Sequence, residues 1–172
     1  MNLGQSIPYK QYSTLPRHGY AGNNYTVAAG LLIVTPDLEE VLLVKRKEET
    51  KYPGLWTTPG GFGKTNGPYN NEDPLNTAVR ETTEELGAVP RGNLYITQFI
   101  YQQGNLHYHT FILQTLPSER TEFTRRLNHE VSDSKWFKIR NRGLLQRHLV
   151  PGVKESLDDL VRRSKQSNTS TN

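Results

Sequence analysis

The chain has 172 residues, 21 basic and 17 acidic side chains, a formal net charge of +4 and no cysteine. That length argues for one domain able to bury a core without staples, and the missing thiols exclude disulfides, thiolate zinc sites and cysteine nucleophiles. Three of the positive charges, Arg162, Arg163 and Lys165, crowd the C-terminal end and leave 18 basic against 17 acidic residues up to Leu160, so no folded basic face is indicated and RNA stays open as a partner.

Residues 1–25 carry Pro8, Pro16, Gly4, Gly19 and Gly22 among tyrosines at 9, 12, 20 and 25. The prolines forbid a long helix and predict an irregular N-terminal arm. Its first residues lack the basic start and apolar block of a secretory signal. The longest apolar run, from Val27 to Val34, is too short to span a bilayer. A cytoplasmic protein with no membrane partner is the expectation.

Residues 26–34 read as a buried strand and residues 41–47 as its antiparallel partner, across a turn at 37–40. Residues 52–56 and the turn-rich stretch 59–71 read as loop. A helix is predicted over 73–86. Strands follow at 93–101 and 106–116, joined by a hairpin loop at 102–105, with a short strand at 135–139. Residues 151–163 read as a second helix with proline in its first turn. Residues 164–172 contain no apolar side chain and read as a disordered tail. The domain is therefore expected over 26–163, with an α/β or α+β arrangement of mixed strands and two helices.

The helix at 73–86 carries the densest chemistry. Asp73 suits an N-cap, Pro74 the first helical position and Gly87 the C-terminal stop. Leu75, Ala78, Val79, Thr82 and Leu86 share one arc. Glu81, Glu84 and Glu85 share a neighbouring one, and like charges at i, i+3 and i+4 destabilise a helix unless something compensates. Arg80 can pair with some of them but cannot neutralise all three. Either this is a solvated acidic face, or it holds a hard cation such as Mg²⁺, with Mn²⁺ as the alternative. Upstream, Thr58-Pro59-Gly60-Gly61-Phe62 offers glycines whose backbone can approach a ligand closely, and Glu72 stands at the mouth of the helix.

The run Glu72-x7-Arg80-Glu81-Thr82-Thr83-Glu84-Glu85-Leu86-Gly87-Ala88 resembles the signature of the Nudix hydrolases, G-x5-E-x7-R-E-U-x-E-E-x-G-U, where U is a bulky aliphatic residue. With its flanking strands the resemblance covers about residues 26–139. The position of the leading glycine is Asn66; if Gly61 takes that role, the loop before Glu72 is five residues longer than the motif's, an insertion with little closure cost. Thr82 and Ala88 are smaller than the usual aliphatic residues.

The resemblance implies an α/β/α sandwich with a mixed sheet and a loop-helix-loop catalytic motif. It further implies a metal-dependent pyrophosphohydrolase acting on a nucleoside diphosphate linked to another moiety, and a homodimer is a common arrangement in the family. Glu81, Glu84 and Glu85 are then the expected metal ligands or water-orienting groups, with the Gly60 carbonyl as a further ligand and Arg80 bracing the glutamates. Glu130, in the loop before Trp136, is the candidate general base, against the plainer reading of a surface glutamate. Two other readings of the chain are a nucleotide-sensing module on the same fold and an RNA 5′-end pyrophosphohydrolase.

Weaker signals surround this motif. Arg46, between Lys45 and Lys47 at a strand end, is either a phosphate contact or an ordinary solvated cation. His107 and His109 share one strand face, either as plain polar residues or lining a substrate cleft. Gly63-Lys64-Thr65 lacks the first glycine of a P-loop, because that position is Thr58. His129-Glu130 lacks the second histidine of a zinc helix, because that position is Asp133.

Overall fold

The computed structural model describes residues 3–14, 19–20, 25–65, 71–123 and 126–169. In chain order the elements are β1 (Ser6–Pro8), a 3₁₀ helix (Tyr9–Thr14), β2 (Gly19–Tyr20), β3 (Thr26–Val34), β4 (Glu40–Arg46), β5 (Trp56–Thr57), β6 (Gly60–Phe62), β7 (Asn71–Glu72), α1 (Pro74–Leu86), β8 (Gly92–Gln103), β9 (Leu106–Thr115), α2 (Glu119–Glu122), β10 (Val131–Lys138), α3 (Arg142–Leu145) and α4 (Val153–Thr169).

The unbroken apolar run of β3 suits a strand covered on both faces. Ala29, Leu31 and Ile33 pack on one side with Ala78 and Leu86 of α1. Leu32 and Val34 pack on the other with Leu157 and Leu160 of α4. Between the helices runs a sheet in the order β1-β8-β9-β3-β4-β10, with β5 and β6 paired beside that path on β4 and β3. The β3–β9 pair is parallel, whereas β8–β9, β3–β4 and β4–β10 are antiparallel. This is the expected α/β/α sandwich with a mixed sheet. Among the described residues, no helix is long and apolar enough to cross a membrane.

α1 begins and ends where its capping residues dictate. The Asp73 carboxylate accepts from the Leu75 and Asn76 amides, and Gly87 takes a left-handed φ of 81°, a conformation open to glycine without a Cβ penalty.

Four expectations need correction. The arm is not irregular throughout, because β1 pairs with β8, β2 pairs with β7, and Leu3 and Tyr12 are buried. The Tyr12 hydroxyl donates to the Gly92 carbonyl, a non-local anchor that local turn residues do not reveal. The stretch 59–71 is not all loop: Gly60–Phe62 pairs with β3, where Gly60 lies opposite Gly30, and glycine on both strands lets the backbones meet. The hairpin loop shrinks to Gly104 and Asn105, with Gly104 at a φ of 56°. Finally, the last helix starts at Val153 and continues to Thr169, since no proline or glycine follows Gly152 to stop it. Residues 164–169 of the expected tail are thus helical. Asn66 and residues 170–172 lie outside the described residues.

Candidate active site

Arg80 sits at the centre of the acidic side of α1. Its Nε and Nη2 donate to Glu72, with the shortest contact at 2.8 Å, and its Nη1 donates to Glu81 at 2.7 Å and to Glu84 at 3.2 Å. Nη2 also donates to the Phe62 carbonyl, so one guanidinium ties the helix to β6. The hydrogen bonds to Glu72 are the main reason that Arg80 is held above its ordinary pKa. Burial alone would raise Glu72, but bonds from Arg80, the Lys64 amide and Thr77 hold it below the usual carboxylate range.

Glu85 is different in kind. It is fully buried, one carboxylate oxygen accepts from the Gly60 amide at 3.0 Å, and the other has no hydrogen-bond partner. Burial pushes its pKa up to about 8, against the Gly60 bond, and the charges of Glu81 and Glu130 push the same way while Arg46 opposes them. Glu81 is raised by burial in spite of Arg80, with Glu84 and Glu130 adding to the shift. A Cβ on Gly61 would come within 2.6 Å of the Glu81 carboxylate; only glycine leaves that carboxylate room. Glu84 is half exposed and touches Arg80 alone among these groups.

The structure brings Glu130 to the same place by a route the motif does not contain. The Arg126 amide donates to the Leu86 carbonyl and the Asn128 amide to the Glu85 carbonyl, satisfying acceptors at the end of α1. The Glu130 carbonyl then accepts from Lys47. The loop is thereby held between α1 and the end of β4, with Glu130 acting on both Glu81 and Glu85.

Behind β6 lies a cavity of about 110 Å³, where one water needs roughly 10–15 Å³ by the same measure. Its walls include Arg46, Tyr52, Gly60, Gly61, Tyr101 and Tyr108. Tyr101 lies opposite Tyr108 across β8–β9, and cross-strand partners share a face. Ala28 and Gly30 on β3 are small where Tyr108 and Thr110 lie beside them. The Tyr108 hydroxyl is 3.2 Å from Thr58 Oγ1 and would be 2.3–2.4 Å from a Cβ at Gly30 or Gly60. It fills the space that the two glycines leave.

The same alternation turns His107 and His109 to the other face of the sheet. Tyr25 stacks on His107 with ring centroids 4.0 Å apart, and His109 is buried with its Nδ1 2.5 Å from Gln98 Oε1. They do share a face, as expected, but it is not the face of the cavity, so a cleft-lining role loses its geometric support. Tyr101 and Tyr108 went unread in the sequence. Period-2 alternation around the histidines was the available signal.

Among the described residues, no three His, Cys, Asp or Glu side chains are already arranged to hold a metal ion; Arg80 draws Glu81 and Glu84 to itself. The donor chemistry nonetheless fits a hard divalent cation: oxygen ligands only, one buried carboxylate oxygen without a partner, and neighbouring carboxylates that repel it.

The NUDIX domain model matches residues 24–159. The chain belongs to the Nudix family. It is a Nudix-type hydrolase acting on phosphorus-containing acid anhydrides. Among solved structures it resembles a MutT protein from Methanosarcina mazei Go1, at 20% identity and a TM-score of 0.62 over 85% of this chain and 99% of that one. It resembles the M. smegmatis Nudix hydrolase RenU at 22% and 0.59, over 87% and 94%. It also resembles a C. elegans Ap4A hydrolase, seen in a binary complex, at 20% and 0.56, over 82% and 98%. At such identities the likeness is one of fold. No curated protein sequence matches this chain significantly.

Proposed function

We propose that the protein is a Mg²⁺-dependent pyrophosphohydrolase of the cytoplasm, with Mn²⁺ as an alternative ion. Its substrate would be a nucleoside diphosphate joined to another moiety: a nucleotide sugar, a dinucleotide or a nucleoside triphosphate. The observation that carries this reading is Glu85, a buried carboxylate with one oxygen fixed by Gly60 N–H and the other unpartnered. Such a group is costly to bury alone and is suited to a cation.

Glu81, Glu84, Glu85 and the Gly60 carbonyl would hold the ion, which when bound neutralises phosphate oxygens and acidifies a water. Arg80 keeps Glu72 paired throughout and competes with the ion for Glu81 and Glu84. Glu130 is half exposed and electrostatically coupled to Glu81 and Glu85, which suits a base that takes the proton of the attacking water. The water oxygen bonds to phosphorus, the bridging P–O bond breaks, and the anhydride oxygen leaves with its phosphate. Arg46, whose charge opposes the rise in the Glu85 pKa that burial causes, would bind a phosphate.

The test is a hydrolysis screen over nucleotide sugars, dinucleoside polyphosphates, nucleoside triphosphates and 5′-triphosphate RNA, with and without Mg²⁺. Release of a nucleoside monophosphate only with metal is the expected result. Tight nucleotide binding without turnover would instead make the chain a sensing module, and turnover restricted to RNA ends would replace the small-nucleotide reading.

A further inference from the structure

Glu130 lies outside helix and strand, yet the three residues that end with it are tied at both ends. The Asn128 amide donates to the Glu85 carbonyl at 3.3 Å, in the last turn of α1. The Glu130 carbonyl accepts at 3.1 Å from the amide of Lys47, the residue after β4. Between these ties, Asn128 Oδ1 accepts from the Glu130 amide at 2.8 Å. The side chain here does what a backbone carbonyl does in an ordinary turn. Among the described residues that oxygen is the only partner of the Glu130 amide.

The Glu130 carboxylate has little else to aim it. His129 Nε2 lies 3.6 Å away, but the His129 side chain is itself 87% exposed, and a solvated side chain holds its partner loosely. The loop also needs room to turn back along the helix. A Cβ at Gly87 would stand 2.9 Å from the Arg126 Cβ, and Arg126 donates its amide to the Leu86 carbonyl two residues before Asn128 donates to Glu85. The glycine that ends α1 therefore also lets the loop reach back to the helix.

We propose that Asn128 is a positioning residue for the hydrolysis. Bonded by its amide to Glu85 and by its side chain to the Glu130 amide, it fixes the Glu130 carboxylate relative to Glu81 and Glu85. The inference rests on the reading of Glu130 as the base. A base must lie within hydrogen-bond reach of the proton it takes, and a displacement of about 1 Å can cost up to about 10²-fold in rate.

The experiment is a double-mutant cycle on the full-length protein at saturating Mg²⁺. UDP-glucose, diadenosine tetraphosphate and GTP are offered, and the one that wild type hydrolyses fastest is carried through the cycle. Asn128→Ala keeps the backbone bond to Glu85 and removes only the side-chain bond to the Glu130 amide. It should lower kcat about tenfold, the scale of one hydrogen bond, with KM and Mg²⁺ affinity within about twofold of wild type. Asn128→Asp, which keeps an acceptor oxygen in the same place, should recover most of that loss. In a Glu130→Gln background Asn128→Ala should cost nothing further, because the group it positions no longer takes a proton.

Additive losses in the double variant would show that Asn128 acts without Glu130, and would overturn the proposal. So would an unchanged kcat in Asn128→Ala, or a loss that Asn128→Asp fails to recover. Additivity beside a slow Glu130→Gln sinks the positioning role and leaves the base reading standing. A normal kcat in Glu130→Gln removes the base reading and the positioning role together. A wild type that hydrolyses none of the three substrates removes the hydrolysis reading and this inference with it.

Discussion

The two sides of the Gly60–Gly61 strand make an instructive contrast. On one side stand Glu81 and Glu85, raised in pKa first by burial and further by the charge of nearby Glu130. On the other, a cavity carries tyrosines and two cations with no acidic residue among its described walls. Glycine is needed on both accounts, since a side chain at Gly61 would strike Glu81 and one at Gly60 would strike Tyr108. The clustered carboxylates and the tyrosine-lined cavity are separated by a wall one backbone thick.

The largest expected effect falls on the acidic side. Glu85→Gln should lower kcat by about 10³-fold and remove most of the rise in melting temperature that millimolar Mg²⁺ gives the wild type. A variant that still turns over normally would mean that the buried carboxylate is merely structural. Glu130→Gln comes next, with a fall in kcat of about 10²-fold and little change in Mg²⁺ affinity if it is the base. Should metal affinity fall as well, as measured by titration calorimetry, Glu130 belongs with the ligands.

A third prediction uses pH without metal. The folded state keeps the Glu85 proton up to a pKa of about 8, whereas the unfolded chain loses it near the ordinary value of 4.5. The folded state therefore binds more protons across that window, and stability in EDTA should fall as pH rises through it, by no more than about 1.4 kcal/mol per unit. Glu81, also raised, acts in the same direction. Glu85→Gln should flatten the slope, and Mg²⁺ should do so by favouring the ionised form. A metal-free melting curve that climbs steadily from pH 5 to 8 would contradict the coupling described above.

The smallest effect is a control that touches neither side of the wall. Deleting residues 164–172 removes the end of α4 beyond the packed Leu157 and Leu160 and should lower stability by about 1 kcal/mol at most, with hydrolysis unchanged. A large loss would show that the last turns of this helix carry packing not evident from its apolar face.

Legibility from sequence divides along the same wall. The acidic helix could be read because its information is local: a cap at Asp73, a stop at Gly87 and carboxylates at helical spacing. The aromatic cavity could not, because it depends on which residue of β8 faces which residue of β9, and on β3 lying parallel to β9. Alternation did show that His107 and His109 share a face, yet nothing local said which helix covers it. The arm failed for the same reason, since Ser6–Pro8 finds its partner at residues 93–95. Glu130 was legible only through the family resemblance. The backbone bonds from Arg126 and Asn128 that place it leave no trace in side-chain chemistry.

The parallel union of β3 and β9 also governs how the molecule comes into being. Thr26 meets Leu106 and Val34 meets Gln114, partners some eighty positions apart, so the sheet's centre closes only after a long stretch of chain has been searched. Contacts of that span slow folding, whereas a capped helix forms within microseconds. Tyr108 arrives with β9 and settles over Gly30 and Gly60, so the glycine strand that the acidic helix must face is locked only when this distant pairing has formed. Assembly of the candidate site should consequently be a late event, timed by the pairing of two distant strands rather than by the helix that bears the clustered carboxylates.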